Sequence, residues 1–201
     1  MVAGCVDERH TRNPKLIALD SLQRVSPDSA FNMLDDFNEV LTPNDSVYNN
    51  LIYTETILNK TVSYASDSAI NKIVDYYNIK QDNALLGRAY LCRSINRFKN
   101  GRYSCAIADA IMAEKLLPTG DKYYGCKVQL LLGQINLDAG CNRLSLERLK
   151  KASHYADEFG KNPTLIAQSY NYMAEAYDRC GDRDSFMLCI RHITPLLSKL
   201  D

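Results

Sequence analysis

Three glycines, Gly101, Gly140 and Gly181, stand 39 and 41 residues apart, each between two runs whose apolar residues recur at helical spacing. A glycine there ends one helix in a left-handed turn and lets the next begin, so the spacing predicts a chain of helical hairpins. Other positions fall into line with the glycines. Seven residues before them come Ser94, Gly133 and Ala174; five residues after come Ala106, Ser145 and Phe186; twelve after come Ala113, Ala152 and Ile193. Small residues at these points let two helices approach closely, and larger ones fill the space between hairpins.

The remaining punctuation extends this pattern to the whole chain. Ser26-Pro27, Thr42-Pro43 and Asn162-Pro163 pair a capping residue with proline at the first helical position. No segment shows sustained strand-like alternation. The breaks predict about ten helices, near 14–24, 27–41, 45–60, 67–80, 82–99, 102–117, 122–139, 143–159, 163–179 and 183–200, with Pro195 bending or ending the last at Thr194. The fold class expected is all-α, a right-handed α-α superhelix of about five antiparallel helical hairpins. Three segments follow: a leader over 1–13, degenerate hairpins over 14–81, and three repeats over 82–201.

Residues 82–201 resemble the tetratricopeptide repeat family, whose pattern is W-x2-L-G-x2-Y, then A-x3-F, then P over about 34 residues. Tyr170-x2-Met173-Ala174-x2-Tyr177 with Gly181 is the best copy, followed by Gln129-x2-Leu132-Gly133 with Gly140 and Ala152. The first copy has Tyr103, Ala106, Ala113 and Pro118 in its second half, but Arg93 and Arg97 where apolar residues are usual. The repeats exceed the family length by five to seven residues.

The N-terminal part resembles the opening of Bacteroidetes-type tetratricopeptide lipoproteins, through Leu19-Asp20-Ser21-Leu22, Ser26-Pro27-Asp28-Ser29-Ala30, Ser66-Asp67-Ser68-Ala69-Ile70 and Val74-Asp75-Tyr76-Tyr77. Val2-Ala3-Gly4-Cys5 resembles the lipobox of such proteins, which implies lipid attachment at Cys5 and a place in the bacterial cell envelope, on its periplasmic face or at the cell surface. A functional signal needs a charged start and an apolar run that Met1–Gly4 do not supply, so the motif reads as the remnant of a longer signal. A cytoplasmic location is the alternative. Asp7-Glu8 resembles a surface-export tag, and a solvated tail explains it equally. Asp-Ser at 20–21, 28–29, 45–46, 67–68 and 184–185 resembles short O-glycosylation sites in such envelope proteins, while the same residues serve as helix N-terminal caps.

Binding in this family uses the concave surface lined by the first helix of each hairpin. The resemblance therefore points to Arg88, Leu91 and Ile95 with Phe98, then Lys127, Leu130 and Gln134 with Leu137, then Asn171, Glu175 and Asp178 with Gln168. The apolar members are equally readable as core between repeats. The expected partner is a protein or peptide. The Lys/Asn/Arg combination that some relatives use for peptide carboxylates is not reproduced at these positions.

Composition narrows the remaining classes. Lys plus Arg and Asp plus Glu number 24 each, which does not indicate direct nucleic-acid binding. The charge is mildly uneven: 7 basic and 11 acidic residues lie in 1–80, 17 and 13 in 81–201. His10, His154 and His192 lie far apart, and no HExxH, GxSxG, Walker-type or GxGxxG motif occurs. No catalytic residue, metal site or cofactor is expected. The seven cysteines form no CxxC pair; besides Cys5, they read as small buried residues at helix contacts or as three disulfides. The function expected is a non-catalytic, lipid-anchored scaffold. The alternative is the N-terminal sensory module of a longer membrane-linked regulator.

Overall fold

A computed structural model describes residues 12–59 and 65–199. Among these residues the chain is all-α, with ten helices packed in adjacent pairs and no strand. They are α1 (Pro14–Gln23), α2 (Pro27–Asp35), α3 (Pro43–Asn59), α4 (Asp67–Lys80), α5 (Asn83–Lys99), α6 (Tyr103–Leu116), α7 (Lys122–Asp138), α8 (Asn142–Phe159), α9 (Pro163–Cys180) and α10 (Arg183–Ile193). A 3-10 segment, Thr194–Lys199, follows α10 and packs back on α9, the helix stopping one residue before Thr194-Pro195.

The three glycines close their helices in one and the same way. Gly101, Gly140 and Gly181 have φ of 72°, 75° and 76°. The N–H of each glycine bonds three residues back, to Phe98, Leu137 and Asp178. The next N–H bonds five back: Arg102 to Arg97 at 2.8 Å, Cys141 to Asn136 at 2.8 Å and Asp182 to Tyr177 at 3.0 Å. This pair of bonds satisfies carbonyls that the helix end would otherwise orphan, and it needs a residue that adopts positive φ without strain.

Within the hairpins the aligned small positions meet. Ser94 Oγ donates to the Ala106 carbonyl at 2.6 Å across α5 and α6, and Ser145 Oγ donates to the Gly133 carbonyl at 2.8 Å across α7 and α8. The two braces occupy equivalent positions with the serine moved from the first helix to the second. Gly133 sits so close to α8 that a Cβ there would fall 2.6 Å from Leu149 Cγ. Arg93 and Arg97, anomalous in the sequence pattern, both bind the buried Asp109 of α6. Arg93 does so with two N–H bonds of 2.9 Å, and Arg97 with one of 2.7 Å.

The first helices of the last three hairpins, α5, α7 and α9, lie side by side, while α6, α8 and α10 contact the first helix of their own hairpin and, for α6 and α8, of the next. The core divides into two clusters, one from Leu16 to Cys92 and one from Leu91 to Cys189, with Tyr90 and Ile95 of α5 bordering both.

α2 is shorter than its pattern suggested. α2 stops at Asp35 instead of reaching 41, because Asp35, Asp36 and Glu39 place negative charge where the helix dipole is already negative. Glu39 instead accepts bonds from Asn13 and Lys15 at the start of α1. Asn13 caps α1 through the Lys15 N–H, and Arg12 pairs with Asp82 at 2.9 Å, so these two residues of the expected leader are built into the fold. Cys5, Asp7, Glu8 and His10 lie outside the described residues. Of the six described cysteines, Cys92, Cys126 and Cys189 are buried, Cys105, Cys141 and Cys180 are exposed, and all are free thiols.

Candidate functional site

Two features stand where the first three helices meet α5, α7 and α9: a closed ionic cluster, and beside it an open groove.

The cluster grows from charged residues set in apolar helical stripes. Asp20 follows Leu16 and Leu19 on α1; Glu55 lies between Leu51 and Leu58 on α3; Arg88 lies between Leu85 and Cys92 on α5. All three are buried, with exposures of 7%, 3% and 4%. The Arg88 guanidinium bridges both carboxylates. It donates to Glu55 through Nε (2.9 Å) and Nη2 (2.7 Å), and to Asp20 through Nη1 (2.9 Å) and Nη2 (2.6 Å).

Neutral donors complete the shell. Tyr48 donates its hydroxyl to Asp20 at 2.7 Å, Tyr124 of α7 donates to Glu55 at 3.1 Å, and the Gln23 amide donates to both carboxylates. Arg24 packs on the Tyr124 ring 4.8 Å from its centroid and pairs with Asp121 at the start of α7. Burial alone would push the Asp20 carboxyl up, but the charge and hydrogen bonds of Arg88, with those of Tyr48 and Gln23, hold it below the usual carboxylate range. Burial and the charge of Asp20 push the Tyr48 phenol up to about 12. Every strong acceptor here is engaged inside the protein, so the cluster joins helices and offers no surface to a ligand.

The groove encloses about 580 Å³. Its walls come from Pro27 and Asp28 at the start of α2, Leu58 and Asn59 at the end of α3, and Ile95, Phe98 and Lys99 of α5. They continue with Tyr123, Lys127, Leu130, Leu131 and Gln134 of α7, and Asn162, Thr164, Leu165, Gln168 and Tyr172 of α9. The α1–α2 turn reaches it because Asn162, which caps α9 by accepting from the Leu165 N–H at 2.9 Å, also donates its amide to the Arg24 carbonyl at 2.9 Å.

The residues expected on the concave surface divide accordingly. Ile95, Lys127, Leu130 and Gln134 line the groove, as do Phe98 and Gln168. Arg88 does not: it is drawn into the ionic cluster by Asp20 and Glu55, and Leu91 is buried in the core. Asn171, Glu175 and Asp178 lie outside the groove, whose α9 wall is made by Thr164, Leu165, Gln168 and Tyr172; Glu175 pairs with Arg179 on the helix surface. Asp28, Asn59, Lys99 and Tyr172 line the groove without having been anticipated, the first two because they come from outside the repeated hairpins.

Among the described residues no group of three or more His, Cys, Asp or Glu side chains is arranged to hold a metal ion, and no helix is long and apolar enough to cross a membrane. The chain matches no protein-family model, no curated protein and no solved structure.

Proposed function

We propose that the protein is a non-catalytic scaffold that holds a peptide or protein segment in the groove between α3, α5, α7 and α9, and that it works in the cell envelope, anchored by lipid on Cys5. The observation that carries the reading is the groove itself. Its lining combines apolar Ile95, Phe98, Leu130 and Leu165 with polar Lys127, Gln134 and Gln168, and its volume suits a short segment of side chains. The resemblance of residues 82–201 to tetratricopeptide repeats supports the same use of this face, and the lipobox-like Val2-Ala3-Gly4-Cys5 supports the anchor.

Site-specific photo-crosslinking in the native cell tests the first part. A crosslinking amino acid at Gln134 or Gln168 is expected to trap a partner, and the same group at Asp178 is not; equal labelling from all three positions would overturn the groove. Intact-mass analysis of the membrane fraction is expected to show an acylated Cys5, and an unmodified N-terminus would overturn the anchor.

A further inference from the structure

Of the three second helices, α10 is packed on one side only. α6 and α8 each contact the first helix of their own hairpin and that of the next; among the described residues α10 contacts α9 and the 3-10 segment alone. A helix so placed in a repeat array ordinarily turns polar side chains outward. α10 does not. Asp184, Met187, Leu188 and Arg191, spaced by three, four and seven residues, form one exposed stripe, with Met187 45% and Leu188 55% exposed. Aligned on Gly140 and Gly181, the same stripe of α8 reads Arg143, Leu146, Glu147 and Lys150. There Leu146 is half-buried, and an exposed carboxylate takes the place of Leu188.

The charges beside the apolar pair say what fits it. Asp184 lies one turn before Leu188 and Arg191 one turn after Met187, and both are exposed. Each complements the α10 dipole at its own end, which explains the charges but not the bare apolar pair between them. Turned end for end, the stripe matches itself. When two α10 helices lie antiparallel about a two-fold axis between Met187 and Leu188, Asp184 of each faces Arg191 of the other, and the apolar pairs meet between two ion pairs. The parallel arrangement would set Asp184 against Asp184 and Arg191 against Arg191. On α8 the antiparallel arrangement would oppose Arg143 to Lys150, like to like, and on α6 it would oppose Ser104 to Ile111. Only α10 carries the self-complementary order.

We propose that α10 is a self-association face, on which a second copy of this chain docks antiparallel through Met187 and Leu188, in the register set by Asp184 and Arg191. The apolar pair supplies the burial, and the flanking charges choose orientation and partner. The proposal goes beyond the groove reading and does not depend on it, since no residue of α10 lines the groove.

Sedimentation velocity of the full chain over a concentration series tests this. Two short helices make an interface at the small end of the specific range, so a monomer–dimer equilibrium with a dissociation constant of about 10 μM is expected. Leu188→Glu installs at an exposed site the residue type that α8 has there. It is expected to weaken the dimer at least about tenfold and to leave the urea midpoint unchanged. Asp184→Arg makes both ends of the stripe basic, and Arg191→Asp makes both acidic. Each variant alone is expected to be monomeric at about 100 μM, and the two mixed, one fluorescently labelled, to form a heterodimer. A misfolded variant cannot produce that gain. A wild-type chain that stays monomeric up to about 500 μM would overturn the proposal, as would a dimer indifferent to Leu188→Glu. Charge variants that fail to pair on mixing would overturn the antiparallel register. Growth past the dimer would mark head-to-tail stacking and overturn the two-fold contact.

Discussion

The joint between α1, α3, α5 and α7 and the joint between α7, α8 and α9 hold helices together by opposite means. The first is built on Asp20, Glu55, Arg88, Tyr48 and Tyr124, a network of buried charge with its hydrogen bonds satisfied. The second is built on Gly133, Leu149, Ala152, Ala156 and Ala174, where small residues let helices touch and apolar side chains interlock. Interlocking small residues suit helices of equal length meeting in the same register each time. The first three helices do not repeat that register, and α1 is only 10 residues long, with little apolar face to offer. Directional ion pairs fix its position where area alone would leave it free to slide. The cost is fragility, because a buried ionic network fails sharply when one member is removed.

Arg88→Met therefore gives the largest expected effect. It keeps the aliphatic stem but removes the cation that bridges the two buried carboxylates, leaving Asp20 only the longer 3.7 Å pairing with Arg24, a loss of about 3–5 kcal/mol. Urea denaturation measures it, and a loss below about 1 kcal/mol would show that water reaches the cluster. Adding Glu55→Gln and Asp20→Asn to Arg88→Met is expected to restore part of the stability, since the neutral trio leaves no unpaired charge.

The same cluster should mark stability against pH from both sides. Asp20 is held below its usual range in the folded state, so its contribution is present above the unfolded value near about 3.9 and is lost as pH falls through the folded value. The Tyr48 phenol is pushed up to about 12, so its contribution is present below about pH 10 and is lost as pH rises toward 12. Urea midpoints from acid to alkali are expected to fall at both ends, and Asp20→Asn to flatten the acid limb. An unchanged acid limb would place the acid sensitivity elsewhere.

Gly133→Ala probes the apolar joint. A Cβ there would lie 2.6 Å from both Cγ and Cδ2 of Leu149, a fully buried side chain whose branch point cannot swing aside. Overpacking costs about 1–3 kcal/mol, against a helix-propensity gain of up to about 1 kcal/mol. The expected net loss of about 1–2 kcal/mol, read from the denaturation midpoint, is smaller than that of Arg88→Met. Leu149→Ala in the Gly133→Ala background is expected to relieve the clash, which would separate overpacking from any other effect of the methyl group.

Where the fold was legible, short-range chemistry fixed it. Gly101, Gly140 and Gly181 announce helix ends because positive φ is a local demand, and Asn162-Pro163 announces a start for an equally local reason. α2 was overextended because a helical period continues through residues 36–41, whereas its end depends on charge at the terminus and on Glu39 finding Lys15 and Asn13, 24 and 26 residues away. The groove was half legible. Ile95, Lys127, Leu130 and Gln134 follow from the repeat register, but Asn59 and Asp28 reach the groove only because the first hairpins fold against it. Arg88 carried a signal that pointed elsewhere. A lone cation in an apolar stripe, matched by lone carboxylates in the stripes of α1 and α3, marks a buried ionic joint more directly than it marks an open surface.

Asn162 belongs to both kinds of joint and allows the finest comparison. Its Oδ1 accepts from the Leu165 N–H and starts α9, while its Nδ2 reaches back 138 residues to the Arg24 carbonyl. Asp182 caps α10 by accepting from the Ser185 N–H and is exposed, so Asp182→Ala measures a cap alone, about 1 kcal/mol. Asn162→Ala removes the cap and also leaves the Arg24 carbonyl without its donor, so its loss is expected to exceed that of Asp182→Ala by about 1 kcal/mol. Asn162→Ser keeps a capping acceptor and deletes the donor without adding charge. If it costs as little as an exposed substitution, the bond to Arg24 contributes nothing to holding the α1–α2 turn at the groove, and the turn is held by the ionic contacts of Arg24 and Arg88 and by the apolar core. If it costs about 1 kcal/mol, the turn is held twice, once by charge and once by a single neutral hydrogen bond.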